Sequence, residues 1–265
     1  LGGSTTICGG TNSGNLTLTG QVGSILRWES STNNGVNWTT IANTTNSYAY
    51  SNIAVTTWFR VVVQSGSCSQ TTSSVAIITI APNPVANFTN TTVCFGNATV
   101  FNNTSSIASP GAITSYSWNF GDGNTSVAQN PTNNYAAAGT YNVTLVVTSN
   151  NGCTASVTKA VTVNAVPTAS FTNTTECLGA ATTFTNTSSI TGSGNFIVAA
   201  SWNFGDGNTS NSLATTFTKT YTSPGTYNVS LTVTTNFGCT STFNKSVTVN
   251  PLPQVNFTFT NQCLG

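Results

Sequence analysis

The sequence predicts an all-β protein, a tandem array of small β-sandwich domains with one disulfide per domain. Three observations predict it. The ten residues Ser117-Trp118-Asn119-Phe120-Gly121-Asp122-Gly123-Asn124-Thr125-Ser126 recur unchanged at Ser201 to Ser210. Seven cysteines fall in a regular rhythm along the chain. The polar residues are mostly Asn, Thr, Ser and Gly, which favour strands and turns over helices.

Composition removes several classes of function. Charged residues make up 3% of the 265, with five Lys+Arg against four Asp+Glu, so there is no basic patch for nucleic acid. Histidine is absent, which removes the usual general base and the commonest transition-metal ligand. No apolar run approaches the ~20 residues that span a bilayer as a helix. Methionine is also absent, and the expectation is a piece of a longer chain.

The domain at 1–81 shows short strands at Leu16–Leu18, Ile25–Trp28, Trp58–Val63 and Val75–Ile80, with a hairpin turn at Asn33-Asn34-Gly35 leading to Val36-Asn37-Trp38. Trp28 reads as a core tryptophan. Pro82-Asn83-Pro84 marks a junction, because proline breaks strand pairing and stiffens a short connection. The domains at 82–165 and 166–250 are copies. Phe88-Thr89-Asn90-Thr91-Thr92 matches Phe171 to Thr175, and Gly139-Thr140-Tyr141-Asn142-Val143 matches Gly225 to Val229. After the Gly-Thr-Tyr turn, Tyr141, Val143, Leu145 and Val147 alternate with polar residues, as Tyr227, Val229, Leu231 and Val233 do, which fits a half-buried strand. Residues 251–265 begin the pattern again.

Within each copy, Trp118 and Phe120 (Trp202 and Phe204) share a strand face, and the chain then turns on Gly121-Asp122-Gly123 (Gly205-Asp206-Gly207). Glycine supplies the positive φ of a tight turn, and the aspartate bonds back to the adjacent backbone. A Ca²⁺ site at Asp122 or Asp206 is the weaker reading, because calcium takes six to eight oxygens and only one carboxylate lies nearby. No other cofactor is implied. Glu29 and Glu176 have no counterparts in the matching copies, and no acid, base and nucleophile fall together, so no catalytic residues are assigned. A Lys–Asn cross-link at the equivalent Lys159 and Lys245 lacks an assisting acid other than the turn aspartate.

Cys8 and Cys68, Cys94 and Cys153, and Cys177 and Cys239 lie 60, 59 and 62 positions apart. This rhythm predicts the bonds Cys8–Cys68, Cys94–Cys153 and Cys177–Cys239, each pinning turns at one end of a sandwich, with Cys263 pairing outside the sequence. Zinc ligation would want short Cys-x-x-Cys spacing, which does not occur. Disulfides imply an extracytoplasmic setting.

Trp-Asn-Phe-Gly-Asp-Gly-Asn-Thr-Ser, then Gly-Thr-Tyr-Asn-Val-(Thr/Ser)-Leu and a final Val-Thr-Val, resembles the PKD domain over residues 82–250. The resemblance implies immunoglobulin-like β-sandwiches of extracellular proteins. The first domain, on Trp28-Glu29-Ser30-Ser31, Gly35-Val36-Asn37-Trp38 and Trp58 to Val63, is similar to Ig-like modules beside PKD domains in very large surface adhesins of Bacteroidota, including gliding cells. The expected function is a non-catalytic stalk or filament segment of a cell-surface adhesin. The alternative is a set of substrate-binding accessory modules of a secreted polysaccharide- or protein-degrading enzyme. The expected partners are adjacent repeats of the same chain, with lateral self-association or surface glycans covering the low-charge edges. Candidate glycosylation positions are the sequons at Asn90, Asn103, Asn124, Asn142, Asn173, Asn186, Asn208 and Asn228.

Overall fold

The computed structural model describes residues 1–259; Cys263, expected to open a further repeat, lies outside them. The described residues form strands without helices. The first sandwich contains β1 (Thr5–Cys8), β2 (Ser13–Thr17), β3 (Ser24–Ser31), β4 (Thr39–Ile41), β5 (Ser47–Ser51), β6 (Thr57–Gln64), β7 (Thr71–Thr72) and β8 (Ala76–Ala81). One sheet runs β1-β8-β6-β3-β4 with β7 on β6, and β2-β5 faces it. Leu16, Trp28, Phe59, Val61 and Ile78 are buried between them, and the Trp28 indole N–H donates to Thr45 O at 2.9 Å. The expected hairpin turn at Asn33-Asn34-Gly35 lies within a longer loop that joins β3 to the antiparallel β4. Asn34 and Gly35 do take positive φ, but β4 starts only at Thr39. Side chains hold the extra residues: Ser31 Oγ accepts from Gly35 N and Asn33 Oδ1 from Asn37 N, both at 2.9 Å.

The second sandwich comprises β9 (Phe88–Asn90), β10 (Val93–Cys94), β11 (Thr99–Asn103), β12 (Ile113–Asn119), β13 (Thr125–Ser126), β14 (Thr132–Asn133), β15 (Gly139–Ser149) and β16 (Thr154–Asn164). Its sheets run β10-β16-β15-β12-β13 and β14-β11-β9. The third repeats it with β17 (Phe171–Asn173), β18 (Glu176–Cys177), β19 (Ala181–Asn186), β20 (Ile197–Asn203), β21 (Thr209–Ser210), β22 (Thr216–Thr220), β23 (Gly225–Thr235) and β24 (Thr240–Asn250). Its sheets run β18-β24-β23-β20-β21 and β17-β19-β22. The alternation read in the sequence holds. Val143, Leu145 and Val147 of β15 and Val229, Leu231 and Val233 of β23 are fully buried, while Asn142 and Asn228 are exposed. Aromatic rings fill the facing layer: Phe88 meets Trp118 edge-on at 5.1 Å, and Phe171 meets Trp202 at the same distance.

By compactness the chain divides into two units, one of Leu1–Thr91, Val100–Asn133 and Tyr141–Val161, the other of Thr92–Thr99, Asn134–Thr140 and Thr162 onward. Each unit contains one disulfide.

These disulfides correct the expected pairing. Cys8 is bonded to Cys153 and Cys94 to Cys239, with Cα atoms 5.6 and 5.7 Å apart, while Cys68 and Cys177 are free and exposed. The predicted Cys8–Cys68, Cys94–Cys153 and Cys177–Cys239 bonds do not form, and each observed bond joins successive sandwiches instead of closing one. The third sandwich shows the physical reason. β18 runs parallel to β24, placing Cys177 opposite Asn250 at the end of that strand, while Cys239 immediately precedes its first residue, Thr240. Ten steps of strand separate them by roughly 33 Å, whereas disulfide Cα atoms lie within about 7 Å. The first sandwich repeats this: Cys8 pairs opposite Ala81, near the start of β6, and Cys68 lies past its far end. The cysteines of one sandwich therefore sit at opposite ends of it, not at one end.

Candidate functional site

The repeated turn comes from β12 and β20, whose alternation buries Trp118 and Trp202 and delivers the chain to Gly-Asp-Gly at the strand end. Phe120 N donates to Asn124 O and Phe204 N to Asn208 O, both at 3.1 Å, closing the turn. Gly121 and Gly205 have φ of 78° and 77°, and a Cβ on either would lie 2.7 Å from a backbone oxygen, that of Asn142 or Asn228. Glycine is required there both by backbone conformation and by space.

Asp122 Oδ1 accepts from Asn124 N at 2.9 Å, and its Oδ2 accepts from Asn124 Nδ2 at 3.0 Å and Asn133 Nδ2 at 2.8 Å. Asp206 takes the same two bonds from Asn208, at 3.0 and 2.9 Å. Its third donor is Lys219, whose Nζ lies 2.7 Å from Oδ2 with both side chains 15% exposed. Burial raises each carboxyl's pKa, but the donors outweigh it. The Asn133 amide and Asn124 hold Asp122 below the usual range, and Lys219 and Asn208 do so for Asp206. Both aspartates thus serve as acceptors for their own chain's N–H groups. No group of three or more His, Cys, Asp or Glu is placed to share a metal ion among the described residues.

Two further arrangements were not read in the sequence. Glu29 is 5% exposed and takes Arg27 Nε and Arg60 Nε on separate oxygens, each at 2.7 Å, while the Arg60 guanidinium lies 4.0 Å over the Trp38 ring. Burial raises the Glu29 pKa, and the two guanidiniums overcome that and lower it. The alternation of Arg27 and Glu29 on one strand face, with Arg60 on another strand, is the signal that could have found this cluster. In the second unit a cleft of about 500 Å³ is lined by Thr92, Gly139, Thr162, Asn164, Asn195 and the exposed Phe237. Its lining is uncharged, and no titratable side chain enters it.

Lys159 Nζ donates to Asn87 Oδ1 at 2.7 Å and to the Phe88 carbonyl. The counterpart of Asn87 is Ser170, so Lys245 meets no amide there and lies instead 5.9 Å over Phe171. Among the sequons, Asn124 and Asn208 commit their amide nitrogens to the turn aspartates. Asn90, Asn103, Asn173 and Asn186 are half-buried, and Asn142 and Asn228 stand exposed on β15 and β23.

Comparison with known proteins adds to this geometry. The model of the PKD domain matches residues 81–165 and 164–250, and that of a domain of unknown function (DUF8696) matches residues 1–82. A stretch of 86 residues is 38% identical to a microbial collagenase of Vibrio alginolyticus, covering 32% of this chain and 10% of the collagenase, so the similarity spans about a tenth of that relative. Among solved structures, the PKD1 domain of Vibrio cholerae metalloprotease PrtV is 39% identical, covering 31% of this chain and 98% of its own, with a TM-score of 0.29. The PKD1 domain of Vibrio anguillarum Epp is 35% identical, over 31% of this chain and 95% of its own, with a TM-score of 0.30.

Proposed function

Because the chain belongs to the PKD domain family over about two thirds of its length, we propose that it is a non-catalytic structural segment, the stalk or filament region of a large secreted or cell-surface adhesin. PKD domains are extracellular structural or accessory modules, and disulfides suit that compartment. The observation that carries the stalk reading is the pairing of Cys8 with Cys153 and Cys94 with Cys239. Each bond ties one module to the next, which benefits an array whose modules must stay joined. We take the modules as 1–81, 82–165 and 166–250, with a further repeat from 251. The finer placement, in a giant adhesin of the kind found on gliding Bacteroidota, follows the resemblance of the first module and the repeats to modules of those proteins.

Reading the complete reading frame and labelling intact cells with antibody to residues 1–250 tests this. Many such modules in a chain exposed at the surface is the expected outcome. A hydrolase domain beside one or two modules would replace it with the accessory reading, which the similarity to a stretch of a microbial collagenase fits as well.

The low charge also needs a cover, since neutral sheet edges associate sideways. The cover we propose is glycan at the exposed Asn142 and Asn228, or lateral bundling of chains. Intact-mass analysis and imaging of the native protein test it: an unmodified mass together with dispersed single strands would rule out both.

A further inference from the structure

Cys68 and Cys177 are exposed and unbonded, yet each follows or ends a strand as a bonded cysteine does in another module. Cys177 stands where Cys8 and Cys94 stand, as the last residue of a short edge strand parallel to its module's final strand. The three lie opposite Asn250, Ala81 and Asn164 respectively. In all three the next residue donates its N–H to that final-strand carbonyl: Gly9 to Ala81 at 3.2 Å, Phe95 to Asn164 and Leu178 to Asn250 at 2.8 Å. Cys68 belongs to the other class. It follows β6 in a turn, with its N–H donating to Ser65 O at 3.0 Å, as Cys153 and Cys239 follow β15 and β23 in turns. Both observed bonds join an edge-strand cysteine to the turn cysteine of the module after it, and both span 145 positions.

We propose that Cys68 and Cys177 are open halves of this same linkage. Cys177 bonds to the turn cysteine of a module that follows, and Cys68 is bonded by the edge-strand cysteine of a module that precedes. The proposal rests on the tandem-array reading above. Each bond forms when two thiols give up two protons and two electrons. The acceptor is the disulfide form of a thiol–disulfide oxidoreductase, which leaves as the dithiol. A second copy of this chain offers the same chemistry, since its Cys68 is itself a turn cysteine.

The test is disulfide mapping of the native protein, with thiols blocked by N-ethylmaleimide before cell breakage and digestion by chymotrypsin without reduction, five Lys+Arg being too few for trypsin. The expected result is less than a tenth of Cys68 and Cys177 carrying maleimide, with Cys177 recovered on a turn peptide and Cys68 on an edge-strand peptide resembling Cys94-Phe95-Gly96 or Cys177-Leu178-Gly179. A turn peptide of different sequence from Ser65-Gly66-Ser67-Cys68 places the partner in a following module, and that peptide itself places it in a second copy; either supports the linkage. Maleimide on most of either cysteine, a bond between two cysteines of one module, or capping by a small thiol would overturn it. If further modules are present but both thiols are labelled, the linkage fails and the array reading stands. A complete chain without further modules removes the array reading itself.

Discussion

Asp122 and Asp206 sit in turns of identical sequence, yet Asp122 takes its outer hydrogen bond from the Asn133 amide and Asp206 from the Lys219 ammonium. The difference comes from outside the motif. β14 and β22 occupy the same place in their sheets, but β22 is five residues long against two, and the Nζ of its Lys219 lies over two rings, 5.5 Å from the centre of Phe204 and 5.1 Å from that of Tyr221. The turn needs a donor at that position, not a charge. One repeat meets the need with a neutral amide, and the other with an ion pair that also brings in the aromatic layer.

The largest expected effect should not distinguish the two repeats at all. Gly121→Ala and Gly205→Ala each force a side chain into positive φ and against a backbone oxygen, and should destabilise their own repeat by about 2–4 kcal/mol. Hydrogen-exchange protection, read separately over residues 82–165 and 166–250, checks this; clearly unequal losses would mean that the turns are not equivalent. Next comes the partner itself. Lys219→Met leaves a largely buried carboxylate without its cation and should cost about 2 kcal/mol in the third repeat, against about 1 kcal/mol for Asn133→Ala in the second. Equal losses would erase the distinction drawn above.

Titration sharpens the comparison at both ends of the pH scale. The folded carboxyls of Asp122 and Asp206 hold their protons more weakly than the unfolded ones. The stability they supply is therefore complete above about pH 4 and is lost as pH falls through their folded values. Lys219→Met should narrow that acid loss in the third repeat alone. At high pH, burial first, then Asp206 and Tyr227, push the Tyr221 hydroxyl up to about 12. Its contribution is complete below about pH 10 and disappears as pH rises through the folded value. Tyr221→Phe should flatten the alkaline melting curve over that interval, and an unchanged curve would assign the loss to another group. The smallest effect is salt: 1 M NaCl should loosen the third repeat by a few tenths of a kcal/mol and leave the second unmoved, as thermal melting of the separate repeats would show.

Much of this architecture is legible in the sequence. Alternation located β15 and β23, the doubled aromatics marked Trp118 and Trp202 as core, and Gly-Asp-Gly marked the turns, because each depends on neighbours a few positions away. The disulfide partners depend on something no local pattern contains, the parallel pairing of a two-residue edge strand with the far end of the final strand. Separations of 60, 59 and 62 within modules looked regular, but the constant 145 between Cys8 and Cys153 and between Cys94 and Cys239 is the stricter regularity and was available in the same numbers. The Lys219 ion pair was missed because its repeat counterpart is Asn133, so comparison of the copies showed no shared charge there.

The crossed bonds also decide what the chain does when pulled from both ends. The closed loops 8–153 and 94–239 overlap, so the shortest covalent route enters through Cys8, leaves at Cys153, runs back to Cys94, and crosses to Cys239. Tension therefore bypasses most of the first and third sandwiches. Between the bonded cysteines only the segment 94–153 carries the load, and the rest of the route is the short ends 1–8 and 239–259. Fully drawn out at ~3.4 Å per residue, the 259 described residues would reach roughly 300 Å instead of about 880 Å. While both bonds are intact the middle sandwich is the main source of extension, and their reduction would restore the difference by freeing all three sandwiches.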